Sequence, residues 1–378
     1  MKKKTQEAAQ PTPAGRLQSL DVLRGFDMFF IMGGAGLIAA LAQWFPCPFT
    51  EMLASQMDHV EWHGLAHHDT IFPLFLFIAG ISFPFSLEKQ RQQGKPEAAI
   101  YRKVIYRGLM LVFLGLIYNG LLNFNFENQR YASVLARIGL AWMFGALIFM
   151  NTRWKVRVWI TSAILVGYWL TAAFVPAPDA GGADIFSAQG SIIGYVDRIL
   201  LPGKVYYSNI DPEGILSTIP AIATALLGMF TGEWIKYQKE GLTANKKVWG
   251  MVAAGVAFLA VGLLWSLFFP INKKLWTSSF VLVVASYSIL MFALFYYLID
   301  VRNYRRGVLF FTVIGLNSIT IYLGQSFINF SYTARKIFGG VIGWMPESAQ
   351  PFFTQAAYIA VCWFFLYFLY KKKVFLKV

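Results

Sequence analysis

Apolar positions along this chain gather into repeated windows of about 20 residues, the length a helix needs to cross roughly 30 Å of hydrocarbon. Ten such windows are read, over about 20–44, 69–88, 104–123, 132–150, 156–176, 215–235, 248–269, 276–299, 307–329 and 353–370. In lipid each segment must satisfy its own backbone polar groups, so the windows predict helices. A membrane barrel would instead alternate apolar and polar residues over runs of about ten, and that pattern is absent from the sequence. The predicted fold class is an all-α integral membrane protein, a bundle of about ten transmembrane helices.

Composition strengthens that reading. The chain is 57% hydrophobic and 14% charged, with 35 Phe and 12 Trp. A soluble protein of this size could not easily hide so much apolar surface.

The net charge of +14 would suggest nucleic acid in a soluble protein. Here its placement gives a different meaning. With a cytoplasmic N-terminus, 25 of the 33 Lys and Arg residues fall on the tails and alternate loops of the cytoplasmic side. The positive-inside rule then sets an even helix count with both termini cytoplasmic, and no nucleic acid is expected. Residues 1–16 are polar and Pro-containing and read as a disordered cytoplasmic tail. Residues 17–378 read as a single membrane domain, and no fixed-period repeat is seen. Cys47 and Cys362 fall at different depths, which suits no disulfide.

Two outer connections, Pro46–His68 and Pro176–Gly214, are unusually long, and long loops tend to be functional. The first carries all four histidines, His59, His63, His67 and His68, among Asp58, Glu61 and Asp69. A neutral imidazole beside a carboxylate suits a general base. The same residue types bind metals, and a hydrated loop with structurally bonded histidines is the third alternative. If the segment is helical, His59, His63 and His67 share a face. Asp69 also stands where it could cap the second helix.

Further charges need partners. Asp21 and Arg24 are three apart and form a natural intrahelical pair, although Arg24 also suits a phosphate entering from the cytoplasm. Gly33-Gly34-Ala35-Gly36 serves close helix packing or the passage of a thin ligand arm. Asp211 and Glu213 precede helix six, where acids are ordinary caps. Lys273 and Lys274 follow Asn272 ahead of helix eight, Asn317 and Ser318 lie within helix nine, and Arg130 and Arg137 flank the start of helix four. Arg137 lies in an apolar run and requires a carboxylate, a carbonyl or a ligand.

Several blocks together resemble a known family. They are Ser19-Leu-Asp-Val-Leu-Arg-Gly25, His59-x-x-Trp-x-Gly-Leu65 and Asp69-x-x-Phe-Pro-x-Phe-x-Phe-Ile-x-Gly80. Val134-Leu-x-Arg-Ile-Gly139, Asp211-Pro-Glu-Gly-Ile-Leu-x-Thr-Ile-Pro220, Asn272-Lys-x-Leu-Trp276 and Gly315-Leu-Asn-Ser318 follow in order. They are similar to the heparan-α-glucosaminide N-acetyltransferase family, in the form of a bacterial homologue in the inner membrane. The resemblance implies transfer of an acetyl group from cytoplasmic acetyl-CoA to the amine of a terminal glucosamine-type sugar on the outer side. It makes His59 the active histidine, as general base or acetyl carrier, and Asp69 or a neighbour is expected to orient the ring. Around it, Glu61, Trp62, His63, His68, Asp211 and Glu213 are expected toward the acceptor. Arg24, Arg130, Arg137, Lys273, Lys274, Asn317 and Ser318 fall toward acetyl-CoA, with Asn317 or a lysine as the oxyanion donor.

Two positions depart from the family pattern, which has Asn where this chain has His63 and, midway along helix one, Asn where it has Ala35. Both bear on acceptor identity. Expected partners are acetyl-CoA, an amino-sugar or glycan acceptor, membrane lipid and a second copy of the chain, with no metal. The rival functions are O-acetylation of envelope polysaccharide and small-molecule transport. The inverted repeats and paired broken helices of many transporters are not visible in the sequence.

Overall fold

The computed structural model describes residues 17–376, so the tail expected over residues 1–16 lies outside the described residues. Fourteen helices are used below, in chain order. They begin with α1 Gln18–Trp44, α2 Pro48–Ser55, α3 His67–Gln92, α4 Glu97–Tyr118 and α5 Val134–Asn151. Next come α6 Trp154–Phe174, α7 Ile192–Leu200, α8 Thr218–Lys236, α9 Ala244–Ser266 and α10 Ser278–Val301. The last four are α11 Val308–Leu316, α12 Ser318–Phe327, α13 Phe330–Gly343 and α14 Gln350–Lys371. Among the described residues there is no strand, only isolated β-bridges between loops.

Each of the ten apolar windows falls on helix, and eight are straightforward candidate spans. The other two show what hydropathy averages away. The window at 307–329 is a broken pair, α11 and α12, bent by 67° at Asn317. The window at 104–123 belongs to α4, which is long enough to cross but carries Arg102, Lys103 and Arg107 in its first half.

The bundle has a core and a lipid-facing ring. In α3, 72% of the apolar stretch is buried against protein, whereas in α9 only 17% is. Helices α3, α5, α8 and α10 supply most of the central core, including Phe77, Trp142, Leu226, Met229, Phe280 and Phe292. Lipid tails are as apolar as leucine, so helix association here depends on close packing rather than hydrophobic drive. Gly25 of α1 and Gly315 of α11 meet back to back: a Cβ on Gly25 would lie 1.8 Å from Phe311 O, and one on Gly315 would lie 1.9 Å from Asp21 O.

Helix α1 is locally widened over Phe30–Gly34, where Gly33 takes φ 136°. The Gly33 carbonyl accepts a hydrogen bond from Gln355 Nε2 at 3.1 Å. Gln355 of α14 also covers Gly36. The glycine-rich face is therefore filled by a neighbouring helix and offers no ligand passage.

Loops collect at two ends. At one end the 45–66, 119–133, 175–217 and 267–277 connections interlock, through Gly64 N to Ile271 O at 2.9 Å, Trp62 Nε1 to Phe186 O at 2.9 Å and Lys204 N to Gln129 O at 2.9 Å. The other end carries the basic connectors, with pairs such as Lys236–Glu88 at 2.8 Å and Arg91–Glu97 at 2.7 Å. Cys47 and Cys362 are both free.

Candidate active site

Asp69 stands in the first turn of α3, and its carboxylate folds the preceding loop over the helix start. Oδ2 accepts the backbone N–H groups of Ala66 at 3.2 Å and Val60 at 3.3 Å. That return brings His59 Nδ1 within 2.7 Å of Asp69 Oδ1. One carboxylate therefore both caps the helix and holds the imidazole. The shared helical face expected for His59, His63 and His67 does not form. The chain runs through turns and bends from Gln56 to Leu65, with Gly64 at φ 120°, and the helix starts only at His67.

Lys273 completes the cluster from a loop more than 200 residues away. Asn272 fixes that loop: its N–H donates to Thr277 Oγ1 at 3.1 Å and its side-chain oxygen accepts from Leu275 N at 2.9 Å. Lys273 Nζ lies 3.1 Å from His59 Nδ1 and 3.3 Å from Asp69 Oδ1. Burial pushes the Lys273 pKa down, with Asp69 and Glu213 opposing that shift. A ring nitrogen that donates its proton to a carboxylate has no lone pair to accept with. Nδ1–H therefore points to Asp69, Lys273 approaches the same edge as a charge, and Nε2 is the ring nitrogen engaged by neither. The His59 side chain is 53% exposed while Asp69 is 3% exposed, so the imidazole faces open space from a buried carboxylate.

These residues border a cavity of about 440 Å³. Its opposite wall is built by Arg130, whose guanidinium contacts Asp211 at 2.8 and 2.5 Å, pairs with Glu213 and lies 4.6 Å over the Tyr206 ring. Burial works against the Arg130 charge, but Asp211 and Glu213 outweigh it and raise its pKa. Asp211 also accepts from Tyr206 N at 3.1 Å and Glu213 N at 2.9 Å. Behind it, Asp197 receives Ile215 N at 2.9 Å and Asp211 N at 3.3 Å, yet burial still pushes its pKa up to about 6. Trp62, Tyr206 and Tyr207 give the cavity aromatic walls. Lys274 Nζ lies 4.5 Å from the Tyr207 ring centre and 5.5 Å from that of Trp62 while donating to Glu61 O.

A larger cavity of about 640 Å³ lies toward the basic end. The two share Ile31, Phe72, Val134 and Tyr322 as walls, a collar beside the stacked Tyr118 and Tyr322 rings. The larger cavity is mostly apolar, with Arg24, Lys103 and Arg107 on its wall. Arg107 lies 4.6 Å over the Trp142 ring, and its Nε is buried with no hydrogen-bond partner among the described residues. Arg24 contacts Asp21 at 3.3 Å, so the intrahelical pair forms and the side chain still reaches the cavity.

The residues singled out in the sequence thus divide. His59, Trp62, His68, Asp69, Arg130, Glu213, Lys273 and Lys274 line the smaller cavity, with Asp211 buried behind Arg130. Arg24 and Ser318 line the larger one. Glu61 and His63 are exposed and line neither cavity, and His63 Nδ1 lies 3.4 Å from Asn272 Nδ2. Arg137 is buried against Ser217 and Trp276, and Asn317 sits at the helix break; neither lines either of these two cavities. His67 turns into the bundle, its Nε2 3.1 Å from Tyr287 Oη. Among the described residues no three His, Cys, Asp or Glu side chains form a metal-holding group. Lys103 and Arg107 belong in sequence to the basic residues of the cytoplasmic side, although a basic residue inside an apolar helix is a signal of function. Tyr206 and Tyr207, within the long 176–214 connection, carried no sequence signal that tied them to the site.

The profile of a family described as "Heparan-alpha-glucosaminide N-acetyltransferase, catalytic" matches residues 16–261. A protein of that name from Homo sapiens is 26% identical, covering 96% of this chain and 60% of its own length. The Mus musculus protein of the same name is 24% identical, covering 99% of this chain and 62% of its own length. The chain thus spans about 60% of the length of the curated relatives it matches.

Proposed function

The chain belongs to the heparan-α-glucosaminide N-acetyltransferase catalytic family, and from that premise we propose that it transfers acetyl from acetyl-CoA to the amine of a glucosamine-type sugar across a membrane. The proposed setting is a bacterial cytoplasmic membrane, with residues 17–378 as one membrane domain and the basic connectors on the cytoplasmic side. The observation that carries the reading is the pair of cavities with a common collar. One has cations and apolar walls, and the other has a carboxylate-held histidine. Acetyl-CoA combines phosphates with a long thin arm that ends in a thioester. Arg24, Lys103 and Arg107 suit the phosphates, and the apolar walls suit the arm. The collar delivers the thioester to His59.

There, Nε2 takes the proton as the amine attacks the thioester carbonyl. Collapse of the tetrahedral adduct breaks the carbon–sulfur bond, and the departing thiolate recovers that proton. A route through acetyl-His59 would use the same nitrogen. Asn317 is not kept as the oxyanion donor, because it does not line the cavity that holds His59. Trp62, Tyr206 and Tyr207 offer faces for a sugar ring and Glu213 offers a charge for its amine.

The test supplies purified protein with labelled acetyl-CoA and either glucosamine-terminated or N-blocked sugars. Label should enter the free amine, and His59→Ala should lower turnover at least 10³-fold, roughly what loss of an essential base or nucleophile costs. Label on blocked sugars would indicate O-acetylation. Uptake of sugar without any need for acetyl-CoA would indicate transport.

A further inference from the structure

Lys273 reads from the sequence as a donor contact, but its position gives it another task. Its Nζ lies within 3.3 Å of Asp69 Oδ1 and 3.1 Å of His59 Nδ1. It is absent from the wall of the larger cavity, where the donor's phosphates and arm would lie. Its side chain is 18% exposed, and its loop is fixed both by Asn272 and by the Gly64–Ile271 bond to the histidine loop.

We propose that Lys273 is a positioning residue that acts through Asp69 and the His59 ring rather than through a substrate; this rests on the acetyltransferase reading above. A carboxylate at Nδ1 of a histidine both orients the ring and stabilises its protonated form. Here the ammonium on the same carboxylate oxygen leaves the orientation intact and cancels the charge. An imidazolium at His59 would meet a cation at close range. The ammonium therefore opposes a positive charge on the ring, while Asp69 keeps hold of Nδ1.

The other groups facing His59 do not reverse this balance. His68 of α3 stands with its ring 4.6 Å from that of His59. Lys274 adds a second cation from the same loop. Arg130 and Glu213 across the cavity pair with each other. Burial raises the pKa of the Tyr207 phenol, and the Tyr206 ring stands 4.8 Å from it. Asp58 and Glu61, on the loop of His59 itself, are exposed to solvent screening.

The experiment uses the full chain in detergent or nanodiscs, with Lys273→Met, Lys273→Gln and Lys273→Arg. Diethyl pyrocarbonate acylates neutral imidazole, and peptide mass spectrometry reads its addition at His59 as pH is varied. Removing the charge with Met or Gln should move the midpoint of His59 modification to higher pH by about 1–2 units, and Arg should leave it near wild type. Turnover should fall about tenfold or more in Met while KM for acetyl-CoA changes about twofold or less. A double variant with Asp69→Asn should be no worse than Asp69→Asn alone, since both act through one contact.

An unmoved midpoint in both Met and Gln variants would overturn the proposal. So would a loss confined to KM for acetyl-CoA. The modification readout needs no turnover. If the wild type transfers no acetyl group, the functional reading fails while the role of Lys273 is still decided by that midpoint. Gln keeps a hydrogen-bond donor for Asp69 and serves if Met does not fold.

Discussion

The cavity under His59 and the larger one toward the basic end share a collar, but their charges are held in different ways. Around the smaller one nearly every charge has a fixed partner: Asp69 holds His59, Lys273 stands on both, and Arg130 is clamped by Asp211 and Glu213. In the larger one, none of the described residues on the wall is acidic. Arg107 is steadied only by an aromatic face, with its Nε left unpartnered among the described residues. Fixed pairs give geometry, which chemistry needs. A buried cation without a carboxylate is costly unless an anion arrives, which suits a place for binding.

That contrast can be broken from either side. The largest effect belongs to Asp69→Asn, which removes the anchor of the His59 ring. Turnover should fall by about 10²–10⁴-fold in the labelled acetyl-CoA assay, while a cap-sized loss of stability stays near 1 kcal/mol. Half-normal turnover in this variant would show that the smaller cavity is not where the chemistry occurs.

Next comes the rigidity of the wall opposite. In the folded chain Asp197 is pushed up to about 6 from 3.8 by burial. A raised pKa means its stabilising contribution is full below about pH 4 and is lost as pH rises through about 6. Thermal unfolding should therefore show a loss on the order of 2–3 kcal/mol over that window. Asp197→Asn should flatten the profile there, and an unchanged slope would remove Asp197 as its source.

A smaller change is expected at the basic end. Arg107→Met should raise KM for acetyl-CoA about tenfold, the worth of one charge-assisted contact, and leave turnover within about twofold. A fall in turnover with KM unchanged would mean that the larger cavity does not hold the donor. The least effect is expected for Arg91→Ala, which breaks the exposed pair with Glu97. Exposed pairs contribute little, so the melting temperature should stay within about 2 °C and both kinetic constants should be unchanged. A marked change there would show that this exposed pair bears on the fold or on the site.

The helices were legible because a bilayer allows few alternatives to a long apolar helix. The same averaging concealed the bend at Asn317, since both halves of the pair are apolar and nothing in their hydropathy records a change of direction. It also concealed how α4 enters, with three basic residues in its first half. In the site, His59 and Asp69 were legible as neighbours across one loop and one helix start. Arg130 was not legible as the partner of Asp211 and Glu213, because some 80 residues separate them. A charge by itself does not say which opposite charge will reach it.

The sequence by itself determined a membrane bundle, the segregation of basic residues to alternate loops and the crowding of histidine and acid before α3. These are properties of composition and short spacing, which local chemistry fixes. Only the tertiary structure decided that Lys273 shares Asp69 with His59, that Gln355 fills the glycine face of α1, and that two cavities meet at a collar of Ile31, Phe72, Val134 and Tyr322. Each of those depends on which helix backbones approach closely. That is set by packing among residues far apart in the chain, and no local pattern encodes it.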